Sequence, residues 1–542
     1  MPPLVPPQPL AKRILSALFG GDSGTHMHVI GSSGSGKSKF LEHLARDAFF
    51  KHHGFAVLDW HGTLYNSLLT YFTHLWPGRA IYLLDPSRGQ YITPYNPFMN
   101  HDGNIGATAA RYVDATVKAW GATGTNQTPR LEKIARTLYY FAIATGETLP
   151  NAELLLRYNH REVLQYAIRT LEGPAHAHVR ENLSELAAID KPARWDEYVQ
   201  STNNRLTRFL GDESMRRFLA YKQGNLDIAK LIAEDAVLLV NLSESDTLSA
   251  DTARVFASFL LADFYRAAMR RAGTKQRFML ILDEFQEYVS PDTGKMLDAV
   301  RKGGLHLVMA HQRMGHLASD EGRDLRDAIN SNARIKAAFA VHDFETAHFL
   351  APQLGISEIN TNSIKDEITL PHVVGYDKEE TTSYTESTSR TSAQSFGERL
   401  WDGIPGHASM ASSSSGSSSS TSLTTSYQRV PILEDRIVSR AFYNLEEKRH
   451  MLAERIMLQP DRQLTIRIGI EPPEAYLVPD VSDYTVRQDA RDDYERIRFQ
   501  SMKAVTPQEA DAELEQSRND FLARVAPPKK ANKQPPNRPP RT

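Results

Sequence analysis

Gly31-Ser32-Ser33-Gly34-Ser35-Gly36-Lys37-Ser38 matches the pattern G-x-x-x-x-G-K-[ST], and no other stretch of the chain restricts the fold as tightly. The glycines allow the turns that aim successive backbone N–H groups into one concavity, where β- and γ-phosphate oxygens can sit. Lys37 adds a point charge on those oxygens, and the Ser38 hydroxyl can ligate Mg²⁺. The context fits as well. Met27-His28-Val29-Ile30 reads as a short strand, and the run from Lys39 to Ala45 as a helix whose N-terminal dipole faces the phosphates. The expected ligands are ATP and Mg²⁺.

The flanking sequence repeats one design. Gly54–Asp59 and Arg79–Asp85 are apolar runs that end in an acid and a turn, with helical spacing between them. Strands alternating with helices predict an α/β fold with a mostly parallel sheet and functional loops at the strands' carboxyl ends. Asp59 and Asp85 either cap the turns that follow or stand near the nucleotide. Strand character then disappears over 105–234, where helical spacing predicts an all-α insertion domain. Its Arg130, Lys133, Arg136, Arg205, Arg208, Arg216 and Arg217 form a solvated face or meet a nucleic-acid backbone. Strands return at Ala236–Asn241, Arg277–Leu282, Leu305–Ala310 and Arg334–Val341. The second of these delivers Asp283 and Glu284 together to its carboxyl end, the arrangement that orders a Mg²⁺-bound water and activates an attacking one. The third ends in His311 and Gln312, and a polar side chain there can sense a γ-phosphate.

The predicted organisation is a lead-in over 1–26, a nucleotide-binding core over 27–104 and 235–380, and the insertion over 105–234. A serine-rich disordered linker follows over 381–428. A helix near Glu434–Leu458 and two strands then return to the core over 429–480. A helical extension covers 481–526, and a basic proline-rich tail covers 527–542. The net charge of −2 leaves no global basic field, so any nucleic-acid surface must be local. The absence of cysteine excludes disulfides, thiolate zinc sites and cysteine nucleophiles. No apolar run is long enough for a transmembrane helix and no export signal is evident, so a cytoplasmic chain is expected.

These residues together resemble the FtsK–HerA branch of phosphate-loop ATPases, and within it the ATPase domains of type IV conjugation coupling proteins of the TraD and TraG kind. The resemblance rests on Gly31–Ser38, Val57–Gly62, and Tyr82–Pro86 followed by Tyr95-Asn96-Pro97-Phe98. It continues through Pro129–Glu132, Ile281–Gln286, Arg301–Leu305 and Ala310–Gln312. Trp60 stands where the family often has Pro, and His311 where Thr is common. The resemblance implies a RecA-like core, a homohexameric ring, DNA as cargo, and a relaxase or secretion-channel partner that could recruit the chain to the inner membrane. It implies the roles too: Lys37 on phosphate, Asp283 and Ser38 on Mg²⁺, Glu284 on the attacking water, Gln312 reporting the γ-phosphate. Arg301 would be an arginine finger offered to the neighbouring subunit, with Arg334 as its alternate. Two other functions suit the same residues: a HerA-like helicase in DNA-end processing or phage defence, and a nucleotide-switched binding protein with negligible turnover.

Overall fold

The short apolar runs become strands because burial on both faces is what a parallel sheet requires. In the computed structural model, which describes all residues except 1–9, 21–24, 100–102, 120–127, 272, 275, 289–292, 318–321, 356–363, 388–419, 481–482 and 527–542, the chain divides into two units. One is Met1–Ile359 with Lys448–Thr542, and the other is Asn360–Glu447.

The first unit opens with α1 (Leu10–Phe19), β1 (Met27–Ile30), α2 (Lys37–Phe50), β2 (Gly54–Asp59), α3 (Thr63–Leu75) and β3 (Ile81–Leu84). Helices α4 (Ile105–Ala119), α5 (Thr128–Thr145), α6 (Leu149–Ala152), α7 (Arg161–Thr170), α8 (Ala177–Ala187), α9 (Pro192–Gly211), α10 (Glu213–Phe218) and α11 (Ile228–Ala233) then run without a strand. The sheet resumes with β4 (Val237–Asn241), α12 (Ala250–Arg270), β5 (Phe278–Leu282), α13 (Thr293–Lys302), β6 (Leu305–His311), α14 (Gly322–Asn332), β7 (Ile335–Ala338) and α15 (Phe344–Leu354).

The second unit is built from β8 (Ile364–Ser387) and β9 (Ser420–Phe442). Beyond it lie α16 (Leu445–Met457), β10 (Gln463–Ile468), β11 (Glu474–Leu477), α17 (Gln488–Ser501) and α18 (Pro507–Val525).

Nine strands form one sheet in the order β11-β10-β7-β1-β6-β5-β2-β4-β3. From β7 to β3 every pairing is parallel, and only β10 and β11 run antiparallel at the far edge. This is an α/β fold with a mostly parallel sheet. Two apolar layers cover it. Side chains of α1, α2, α3 and Phe499 of α17 close one face, while α12 and α13 close the other. The helical stretch between β3 and β4 shares its core with that second face, so Leu131, Tyr139 and Phe209 belong to one apolar cluster with Ala56 and Leu84.

A buried polar knot ties the helical stretch to the sheet's helices. Asp263 of α12 accepts hydrogen bonds at 2.6 Å from Tyr95, from Tyr112 of α4 and from Arg266. Burial pushes the Asp263 carboxyl up, and Arg266 with the two phenols pulls against it. Asp263→Ala would leave the Arg266 charge buried without its partner, at a cost of about 3–5 kcal/mol. The expected result is a lower urea midpoint, and an unchanged midpoint would remove the knot from the stabilising contacts.

Three boundaries differ from the sequence reading. The helix expected near Glu434–Leu458 begins at Leu445, and its first part is strand β9. The core segment expected to run to residue 380 ends earlier, since 364–380 belongs to β8. Residues 381–387 and 420–428, read as linker, continue the β8–β9 ladder. Thr, Tyr and Val enrich both strands and suit a pleated ribbon, but the pairing joins partners too far apart in sequence for local spacing to show. The serine tract's centre, 388–419, and the tail, 527–542, lie outside the described residues. Among the described residues no helix is long and apolar enough to cross a membrane.

Candidate functional site

The carboxyl ends of β1, β6, β5 and β2 lie side by side, and each carries one part of the site. After β1 the chain enters the Gly31–Ser38 loop. The amide of Gly31 donates to the His311 carbonyl at 3.3 Å, and that of Ser32 to the Ala340 carbonyl at 2.8 Å, fixing the loop to both neighbouring strands. A Cβ on Gly31 would meet Phe339 Cβ at 2.6 Å, so the first glycine is required by close approach. Gly36 has φ 106°, in the left-handed region that side chains rarely adopt. Lys37 opens α2, and its Nζ donates to the carbonyls of Gly31 at 2.7 Å and Ser32 at 3.2 Å, which holds the charge inside the curl. Burial lowers the Lys37 ammonium, and the nearby Glu284 and Asp283 charges pull it back. Ser32 is half-buried, Ser33, Gly34 and Ser38 are exposed, and Ser35 is buried with its hydroxyl on the Ser32 carbonyl.

Strand β5 delivers Asp283 and Glu284 where the sequence placed them. The Asp283 amide donates to the Leu58 carbonyl, and both carboxylates are buried. Desolvation, then the charges of Asp59 and Glu284, push the Asp283 carboxyl up to about 7 against the opposing Lys37. Glu284 has φ 52°, an uncommon conformation for a residue with a side chain. Its Oε1 accepts from Gln312 Nε2 at 2.7 Å, and its Oε2 accepts from Gln286 Nε2 at 2.7 Å. His61 Nε2 lies 3.7 Å from Oε1. Gln312, read as a phosphate sensor, is thus hydrogen-bonded to the carboxylate.

Asp59 caps the turn that follows it. It accepts the amides of His61 and Tyr65 at 3.1 and 2.7 Å, and its charge acts on Asp283. Asp85 is engaged elsewhere, by Ser87, Asn241 and Arg88, and serves its own turn. His311 points into the sheet, where its Nε2 lies 2.6 Å from Nε2 of His28. His311 Nδ1 faces the Arg313 carbonyl at 3.1 Å, so Nδ1 carries the proton and His28 donates to His311 Nε2. Burial, then His311, holds the His28 imidazole well below its ordinary range, which suits this neutral pair.

Arg301 is not in this cluster. It closes α13 just before β6 begins, on the amino-terminal side of the sheet, and its charge is felt by His306 there. Arg334, at the start of β7, lies on the same side, with its amide donating to Thr25 Oγ1. Sequence reasoning gave no role to His61, Gln286 or Arg462. The Arg462 amide donates to the Ser35 carbonyl at 3.0 Å, and its Cα lies 3.1 Å from where a Gly36 Cβ would stand. The C-terminal strands therefore brace the loop from outside. No local motif marks Arg462, because only the placement of β10 brings it there.

The fold and this loop define an α/β chain of the phosphate-loop class. Residues 277–439 match the family model described as the TraM recognition site of TraD and TraG, so the chain is TraD/TraG-like over that stretch. No curated protein matches the chain in sequence. Among solved structures it is similar to the plasmid coupling protein TrwB in complex with ADP and Mg²⁺, at 14% identity and TM-score 0.48, over 86% of this chain and 87% of that one. TrwB with the ATP analogue ADPNP gives 13% identity and TM-score 0.47, over 85% and 87% of the two chains. VirB4 of Thermoanaerobacter pseudethanolicus gives 14% and 0.41, over 65% of this chain and 87% of that chain.

Proposed function

We propose that the chain is an ATP-hydrolysing motor of the conjugative coupling-protein type that moves DNA as a ring, with a homohexamer as the assembly. The observation that carries the reading is the convergence of Lys37, Asp283, Glu284 and Gln312 at the ends of three adjacent strands. The match over 277–439 to the TraM recognition site of TraD and TraG supports a TraM-like partner protein beside the DNA.

A divalent cation fits the residues present. Asp283 is pressed between two other carboxylates, and an exposed hydroxyl, Ser38, stands in the first turn of α2. Ser38 and Asp283 would hold Mg²⁺, which neutralises charge on the phosphates when bound. The remaining work belongs to the chain. The amides of Ser33, Gly34 and Gly36, with Lys37, bind the phosphates, while those of Gly31, Ser32 and Ser35 hold the loop's shape through carbonyl partners. Glu284, gripped on both oxygens by amide N–H groups, orients and polarises the attacking water. Gln312 joins that carboxylate to β6, so displacement of Glu284 is felt in the next strand.

DNA contact is assigned to the helical stretch. Pro129–Arg130 at the start of α5 and α9 border a polar groove of about 740 Å³ that includes Arg130, Arg205 and Arg208. The Arg130 guanidinium sits 4.9 Å over the Tyr198 ring. Arg205 donates to Ser201 and Arg208 lies 3.8 Å from Asp251, whereas Lys133 and Arg217 are tied more closely, at 2.5 and 2.8 Å, to Glu185 and Asp511. ATPase assays with and without DNA test the motor reading, and turnover indifferent to DNA would overturn it. Affinity should also fall steeply with salt. Replacing Arg130, Arg205 and Arg208 by Ala should lower the slope of log affinity against log salt by about 2–3, as one released counterion per lost phosphate contact requires. An unchanged slope would move the DNA surface elsewhere.

A further inference from the structure

The β8–β9 ribbon is long, has only two strands, and exposes large apolar side chains, among them Tyr376, Tyr384, Leu433 and Phe442. An isolated two-stranded ribbon is marginal in water, and exposed apolar surface of this extent marks an interface. We infer that one face of this ribbon pairs with the same face of a second copy of the chain, antiparallel and two-fold symmetric about the Gly375–Ile432 rung. The inference does not depend on the proposed motor activity.

The argument is the register. Residues directly opposite in an antiparallel pair share a face, and successive rungs alternate. Counting rungs through the three register shifts places Ile364–Phe442, Val373–Leu433, Tyr376–Pro431 and Tyr384–Leu423 on one face. That face also carries Pro371–Asp435 and Lys378–Arg429. A two-fold axis across the strands at Gly375–Ile432 lays each strand on its own copy and exchanges rungs equidistant from the centre.

One rung away on either side, Val373 then meets Tyr376 of the partner subunit, and Leu433 meets the partner's Pro431. Three rungs away, Asp435 meets the partner's Arg429. Nine rungs away, Phe442 meets the partner's Leu423, and Ile364 meets the partner's Tyr384. Seven rungs away the only charges, Glu367 and Arg440, already neutralise each other at 2.7 Å. Among the described residues neither Asp435 nor Arg429 has an ion-pair partner within the chain.

On this face Lys378 meets the partner's Pro371 and Glu380 the partner's Thr369, beside the Asp435–Arg429 contact. The opposite face has no such carboxylate–guanidinium contact across the copies, and sets Leu370 against the partner's Glu379 and Glu434 against the partner's Val430. Such a palindrome has no use to an unrelated partner, whereas an isologous contact requires it. The size is sufficient. About 19 rungs at about 3.3 Å, two strands wide, bury about 600 Å² on each copy, near the lower bound of stable interfaces.

The full-length chain provides the test, by sedimentation mass across concentration. Asp435→Arg and Arg429→Asp should each weaken association about tenfold or more, so that the mass falls by half at a concentration where wild type is paired. The double swap should restore it. Loss in the singles without rescue in the double, or no loss in the singles, overturns the pairing. A second arm uses the absence of cysteine. In the variant carrying both Asp435→Cys and Arg429→Cys, the two thiols lie about 20 Å apart along one strand, so a short thiol cross-linker can join them only between chains. A covalent dimer is expected, with none from either single variant. Monomeric product from the double variant, or a monomeric wild type, would assign the face to a different protein.

Discussion

Glu284→Gln is expected to lower ATP turnover by about 10²–10⁴, the usual range for loss of a positioned proton acceptor, while nucleotide binding stays close to wild type. The substitution keeps the side chain's shape at a backbone position with φ 52°. It removes the negative charge that two amide groups, Gln312 and Gln286, are built to grip. One of those amides would then face another N–H, so a modest loss of order at Gln312 accompanies the loss of the acceptor. Lys37→Ala should fail at the earlier step, because its ammonium lies inside the loop that binds phosphate. Equilibrium binding of a fluorescent ATP analogue separates the two variants. Turnover in Glu284→Gln equal to wild type would take Glu284 off the catalytic list and leave the site a binding pocket.

What the sequence shows of this site divides by distance along the chain. The loop is legible because its constraints are local: Gly36 needs a left-handed backbone, and Lys37 must begin a helix. Asp283 and Glu284 are legible because an apolar run announces a buried strand and its end. The grip on Glu284 is not legible. It needs β5 beside β6 with Leu282 opposite Met309, which brings Gln312 alongside. The His28–His311 pair and the bracing of Ser35 by Arg462 require strand neighbours that no local pattern specifies. The ribbon shows the same limit from the other side. Read locally, Glu434 onward has helical spacing, and the Ser- and Thr-rich flanks look too polar to fold. Cross-strand pairing with residues 364–387 outweighs both preferences.

The arrangement of Arg301 leads to the other large effect. Its helix, α13, runs back across the sheet from the β5 end, so Arg301 stands at the amino-terminal end of β6, whereas Lys37 and Glu284 stand at the carboxyl ends. A strand the length of β6, Leu305–His311, spans about 23 Å. No rotamer carries the guanidinium that far, so Arg301 can serve a γ-phosphate only in a neighbouring subunit, where a finger is worth about 10³–10⁵ in turnover. An Arg301→Ala subunit keeps an intact pocket, and a Lys37→Ala subunit keeps an intact finger. Each alone should be inactive. Mixed in exchanging rings, they should regain activity wherever a good pocket meets a good finger, with a maximum at intermediate ratios. If the two variants co-assemble and every mixture stays dead, Arg301 does not act across the interface. Arg334, exposed at the same edge of the sheet through the start of β7, then becomes the residue to replace.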